Sequence, residues 1–112
     1  HISTRRVTDS AFPKDDPHLT LAGWARKLSN LPVIGVGSTC TSITLDNYKS
    51  KTNEPDHVMD PMPQLSLIES GEIDLLAVGR SLIANPSWAE TVQSGKWETL
   101  KPFQKEMLST LY

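Results

Sequence analysis

Ile73-Asp74-Leu75-Leu76-Ala77-Val78-Gly79-Arg80-Ser81-Leu82-Ile83-Ala84-Asn85-Pro86-Ser87-Trp88 is the stretch on which the reading of the fold turns. It opens with an apolar run interrupted by a single acid and stopped by glycine, which suits a strand buried on both faces of a parallel sheet. Residues 80–86 then read as a tight turn and short helix, and residues 87–94 as a further helix. Working upstream, Gly71 stops a helix that begins at Pro63 and carries Leu65 and Ile68 on its apolar side. Leu31-Pro32-Val33-Ile34-Gly35-Val36-Gly37 is a second β-branched run closed by glycine. Ahead of it, Asp15-Asp16-Pro17 predicts a helix start, because the fixed φ of proline suits the first helical position. Leu21, Trp24 or Ala25, and Leu28 give that helix one apolar stripe, and Ser29-Asn30 before Pro32 ends it. Residues 1–4 form a short strand candidate. Residues 38–63 carry Asn, Asp, Lys, Glu and Pro with little periodicity, so they predict a surface excursion. Residues 97–112 predict an amphipathic segment holding Phe103, Met107, Leu108 and Leu111. Strands alternating with helices in this order imply an α/β fold with parallel strands and right-handed crossovers.

The chain has 112 residues, 38% of them hydrophobic, and a formal net charge of -2. Those values bound it to one small globular domain at most. The balance of charge supplies no basic face for nucleic acid. Its apolar runs are a few residues long, against the ~20 that span a bilayer, so no membrane partner is expected. No stretch has the charged start, apolar centre and cleavage site of a signal peptide. Cys40 is the sole cysteine and makes no internal disulfide. It predicts a reducing, cytoplasmic compartment and reads as an ordinary buried or loop thiol.

Both runs end in glycine followed by a polar or charged residue, Gly37-Ser38 and Gly79-Arg80. Ligands of parallel α/β folds collect at the carboxyl ends of strands. A glycine there lets a backbone N–H approach an anion, and arginine supplies a planar, permanently charged fork matched to phosphate. On spacing alone the alternative stays open: the glycines are turn punctuation and Arg80 a surface charge. Gly35-Val36-Gly37-Ser38-Thr39-Cys40 lacks the third glycine of a dinucleotide fingerprint, so that motif is excluded. Glu54, Asp56, His57 and Asp60 cluster in sequence but without the glycine punctuation of a hard-metal loop, and read as a loop of mixed charge.

Residues 32–38 together with Leu67-Ile68-Glu69-Ser70-Gly71-Glu72 and the stretch quoted above resemble the end of the old yellow enzyme family. The features shared are Gly79-Arg80, the Leu82-Ile83 turn, Asn85-Pro86 and Trp88. Residues 1–28, with Ser3-Thr4-Arg5-Arg6 and Leu21-Ala22-Gly23-Trp24, resemble the sixth strand and helix of a bacterial branch. The likeness is specific over 67–88 and looser elsewhere, and residues 46–61 fit least. The resemblance implies the C-terminal part of a (β/α)8 barrel: about three βα units over residues 1–112, with a loop excursion at 39–62. It implies an FMN-dependent oxidoreductase that takes electrons from NADH or NADPH and passes a hydride from flavin N5 to an activated C=C bond, as in an enone.

Carried over by position, Arg80 binds the FMN phosphate through its side chain and Gly79 through its backbone. The resemblance further implies that Gly37 and Ser38 offer backbone donors to the same phosphate and that Val36 touches the ribityl chain or ring. The His pair or His/Asn pair and the Tyr that serve this chemistry match nothing here, so no catalytic residue is expected in the segment. His18, His57, Tyr48 and Tyr112 are not credible in those roles, and Arg5 and Arg6 read first as surface or salt-bridge residues. A closed barrel takes ~250 residues. The expected partner is therefore the N-terminal remainder of the same barrel, with a homo-oligomer compatible, and the segment alone is expected to be inactive. Two alternatives remain at this point. One is an FMN barrel of the dihydroorotate or dihydrouridine type, and the other a non-redox barrel that binds a phosphorylated substrate.

Overall fold

The computed structural model describes residues 1–43 and 55–110. The chain divides into two compact units, His1–Gly37 with Met62–Ala77, and Ser38–Pro61 with Val78–Tyr112.

The first unit contains β1 (Ile2–Ser3), α1 (Leu21–Ser29), β2 (Ile34–Val36), α2 (Met62–Glu69) and β3 (Leu75–Ala77). Its strands form one three-stranded parallel sheet in the order β1-β2-β3. Ile2 lies opposite Gly35, Ile34 opposite Leu75, and Val36 opposite Ala77, so the carboxyl ends of β2 and β3 are side by side. The fold is α/β. Ala22, Val33 and Ile73 form the buried centre, with Ile2, Ala25, Leu67 and Leu76 packed against it. Asp74 ties the layers together: its Oδ2 accepts the Val33 N–H at 2.8 Å and the Arg26 Nε–H at 3.0 Å.

Several local expectations are corrected here. Helix α1 starts at Leu21, not at Pro17, because Thr20 Oγ1 accepts the Gly23 N–H at 3.1 Å and caps the first turn. The Asp16 carboxylate is spent one turn earlier, accepting the His18 N–H at 2.9 Å. The buried face of α1 is also rotated from the expected stripe. Ala22 and Gly23 are buried, whereas Leu21 and Leu28 are 39% and 78% exposed. On α2 it is Leu67 that reaches the core, and Ile68 stays partly exposed. Strand β3 is not covered on both faces: Ile73 just ahead of it is buried, but Leu75 is 60% exposed at the edge of the sheet. The expected helix stops hold. Asn30 adopts a left-handed φ of 54° and donates its N–H to the Arg26 carbonyl, and Gly71 turns at φ 78°.

The second unit contains α3 (Arg80–Ala84), α4 (Trp88–Gln93) and the 3-10 turns Trp97–Thr99 and Lys105–Thr110. Cys40, Trp88 and Leu100 form its core, with Val58, Val78, Val92 and Trp97 against them. Residues 39–41 therefore depart from the surface excursion expected of them: Thr39, Cys40 and Thr41 are all buried. Thr41 bridges Val58 in antiparallel fashion, and Met59 donates its N–H to the Cys40 carbonyl at 3.2 Å. Asp56 Oδ1 accepts the Ser42 N–H at 2.8 Å and the Ser42 hydroxyl at 3.0 Å. The expectations for Tyr48, Glu54, Leu111 and Tyr112 lie outside the described residues. The segment expected to be amphipathic contains two 3-10 turns among the described residues. Leu100 and Phe103 are buried, while Leu108 is largely exposed. Among the described residues no helix is long and apolar enough to cross a membrane.

Candidate functional site

The residues singled out in the sequence divide between the units. Val36 and Gly37 belong to the first, and Ser38, Gly79 and Arg80 to the second. Val36 is half-buried in β2, and its carbonyl accepts the Thr4 N–H at 2.9 Å and the Thr4 hydroxyl at 3.1 Å. Gly37 is buried, and a Cβ there would fall 2.6 Å from Val7 N and 2.7 Å from Thr4 O. Residue 37 must be glycine because the chain leaving β1 passes against it. That requirement exists without any ligand.

In the second unit the surroundings of Gly79 are the reverse. It is exposed, and a Cβ would meet nothing within 4 Å. Open space thus lies beside the backbone at the start of α3. That helix is only five residues long, so its dipole adds little and the side chains matter more. Arg80 is half-buried and donates from Nη2 to Thr41 Oγ1 at 3.2 Å. Its Nη1 is buried and has no hydrogen-bond partner among the described residues. Arg80 is thus half-buried, with one guanidinium nitrogen bonded to Thr41 and the other buried. A guanidinium nitrogen withdrawn from water and left unmet is costly unless an acceptor arrives.

The segment facing Arg80 was missed at the sequence level. Thr39 offers its carbonyl to the Ser81 hydroxyl at 2.6 Å, and Thr41 Oγ1 accepts a hydrogen bond from Arg80 Nη2, so residues 39–41 and 80–81 are joined by two side-chain bonds. Thr39 Oγ1 is buried and, like Arg80 Nη1, unpartnered among the described residues. Ser38 and Cys40 both hold left-handed backbone, at φ 49° and 58°. Such conformations cost energy in non-glycine residues and persist where neighbours enforce them. Between and beside them, the Thr39 carbonyl accepts from the Ser81 hydroxyl and the Cys40 carbonyl from the Met59 N–H. The available signal was the Ser38-Thr39-Cys40-Thr41-Ser42 run of small hydroxyl residues directly after a strand-end glycine.

The sequence matches no family model and no curated protein.

The chemistry of the site therefore stands on its own donors: a guanidinium fork, small hydroxyls and an exposed glycine backbone. No carboxylate pairs with Arg80 among the described residues. This donor set suits an oxyanion with several acceptor oxygens. It does not suit a metal, and no group of three or more His, Cys, Asp or Glu gathers among the described residues. Cys40 is a buried thiol, and burial pushes its pKa up, with the Asp60 charge adding to that. Asn85 serves the framework, gripping the Lys101 backbone with its Oδ1 at 2.8 Å and its Nδ2 at 2.9 Å. Trp88 fills the core of the same unit.

Proposed function

We propose that this chain forms part of an FMN-dependent oxidoreductase of (β/α)8 architecture, and that its second unit grips the phosphate of the cofactor. The observation that carries this reading is the half-buried Arg80, whose Nη1 has no partner among the described residues, directly after the exposed Gly79. The donors fit a phosphate monoester: Arg80 supplies charge and a fork, and Gly79 and Ser38 supply backbone N–H groups. The resemblance of residues 67–88 to the old yellow enzyme family supports flavin over other phosphorylated ligands. The parallel, adjacent β2 and β3 are what a barrel of that kind requires. The chemistry supplied by such a cofactor is hydride transfer from NADH or NADPH to an activated C=C bond. The part played by these residues is to bind and orient, and they hold or move no proton in the reaction.

The test is a fluorescence titration of the apo-protein with FMN, beside turnover at saturating FMN. A hydrogen bond to a charged group contributes ~1.5–3 kcal/mol, so Arg80→Ala is expected to weaken FMN binding by about ten- to a hundredfold. Arg80→Lys recovers only part of this, because an ammonium keeps the charge and loses the fork. Turnover at saturating FMN returns close to that of the wild type. Normal FMN affinity in Arg80→Ala, or inactivity when fully loaded, removes Arg80 from the role given to it.

A further inference from the structure

We propose that the hydroxyl of Thr39 is a second side-chain ligand of the anion that Arg80 binds. This rests on the phosphate reading above and adds to it a residue that the family resemblance does not supply.

Of the hydroxyls on Thr39, Thr41 and Ser81, in the two segments that bond to each other, two are committed. Thr41 Oγ1 accepts from Arg80 Nη2, and Ser81 Oγ donates to the Thr39 carbonyl. The third, on Thr39, is idle. Thr39 is 5% exposed, and its Oγ1 is buried without a partner among the described residues. A buried hydroxyl normally finds a bond, and one that does not is accounted for by a strain, an unplaced water or a ligand. Here the orphan does not stand alone. Residues 39–41 are bonded to residues 80–81 at both ends, and the second orphan, Arg80 Nη1, belongs to that same pair of segments. A cationic donor and a neutral donor, both kept from water and both unmet, call for one acceptor with more than one oxygen. A phosphate monoester has three terminal oxygens and answers both. Selectivity follows as well. A threonine hydroxyl in place of a second cation keeps the site's charge at that of one guanidinium, which suits a single phosphate over a diphosphate.

The experiment uses the full natural polypeptide and its Thr39→Val and Thr39→Ser variants. Valine keeps the shape and removes the hydroxyl, whereas serine keeps the hydroxyl. Each protein is titrated with FMN and with riboflavin, which has the same ring and no phosphate, and is melted with and without inorganic phosphate. Loss of one hydrogen bond to a charged acceptor predicts FMN binding weaker by about tenfold in Thr39→Val, with riboflavin binding unchanged and Thr39→Ser within about twofold of wild type. If Thr39→Val binds FMN like wild type while Arg80→Ala does not, Thr39 is no ligand and the phosphate reading stands without it. If no variant binds FMN, yet phosphate raises the melting temperature of wild type and raises it less in Thr39→Val, Thr39 is a ligand and the flavin reading falls. Indifference of wild type to both FMN and phosphate overturns both.

Discussion

A Cβ at residue 37 would fall 2.6 Å from the Val7 nitrogen, whereas one at residue 79 would meet nothing within 4 Å. The two glycines end similar runs and are glycine for opposite reasons, so they separate in a mutation experiment. Gly37→Ala forces backbone apart and is expected to cost about 1–3 kcal/mol, as overpacking does. Gly79→Ala should leave unfolding within about 0.5 kcal/mol of wild type, because nothing is displaced. Urea unfolding of both variants checks this, and equal losses would remove the distinction. The sequence shows that both positions end a strand. It does not show why Gly37 is needed, because the atoms that crowd it belong to Thr4 and Val7, some thirty residues away in the chain. The same limit hid Thr39 and Thr41, whose roles depend on Arg80 and Ser81 arriving from the other end of the sequence. Asp74 gives a second test at this scale. The Arg26 guanidinium and then the Val33 N–H hold its carboxyl below the ordinary aspartate range. A carboxylate whose native value is depressed binds fewer protons folded than unfolded. Its stabilising contribution is therefore complete above the ordinary aspartate value and lost as pH falls through the native one. Asp74→Asn should flatten the acid limb of the stability–pH curve, and a curve parallel to wild type there would assign that limb to other groups.

Helix α1 shows what an element's pattern does and does not reveal. Its existence and its end at Asn30 were legible, because asparagine tolerates the left-handed cap that the structure contains. Its start and its buried face were not. Asp15-Asp16-Pro17 carries the stronger local signal, yet Thr20 wins because its hydroxyl caps Gly23 and also donates to Glu72 Oε2 at 3.1 Å, a bond to the turn after α2. Size predicts Leu21 and Leu28 as the inward residues, and both are exposed. The helix approaches its neighbours closely through small residues instead. A Cβ on Gly23 would lie 2.5 Å from Glu72 Cγ. Thr20 is 1% exposed and satisfies groups on two elements, so Thr20→Val should cost about 1–2 kcal/mol, in the range of a lost N-cap. Thr20→Ser should retain most of that. Thermal melts of the pair check it, and a neutral Thr20→Val would mean that α1 is held by packing alone.

Each of the two units has its own small core, and the first ends in a sheet whose two outer strands are unpaired among the described residues. That sheet order, β1-β2-β3 with consistent parallel pairing, was readable from the alternation of strands and helices. The exposure around it was not readable, since periodicity cannot say whether a further element covers an apolar residue. On the β3 edge Leu75 is 60% exposed, and on the β1 side Leu28 and Leu31 are 78% and 64% exposed. Leu28 and Leu31 line a groove of about 520 Å³ together with Ile2, Ala25, Pro32 and Val33. In a (β/α)8 barrel both edges are occupied by neighbouring βα units, and an uncovered parallel edge with leucine beside it invites another chain. Residues 1–112 on their own should therefore self-associate as concentration rises. Lysine at the edge opposes such pairing by charge and by desolvation cost, so Leu28→Lys with Leu75→Lys should shift the population toward monomer. On the barrel reading proposed above, adding the rest of that barrel should suppress association of the unaltered chain and should fail to rescue the double variant, whose lysines would then be buried. Sedimentation velocity across a concentration series reads all three states. A wild-type chain that stays monomeric and melts cooperatively at high concentration would show that these edges need no cover, and would count against the proposed barrel.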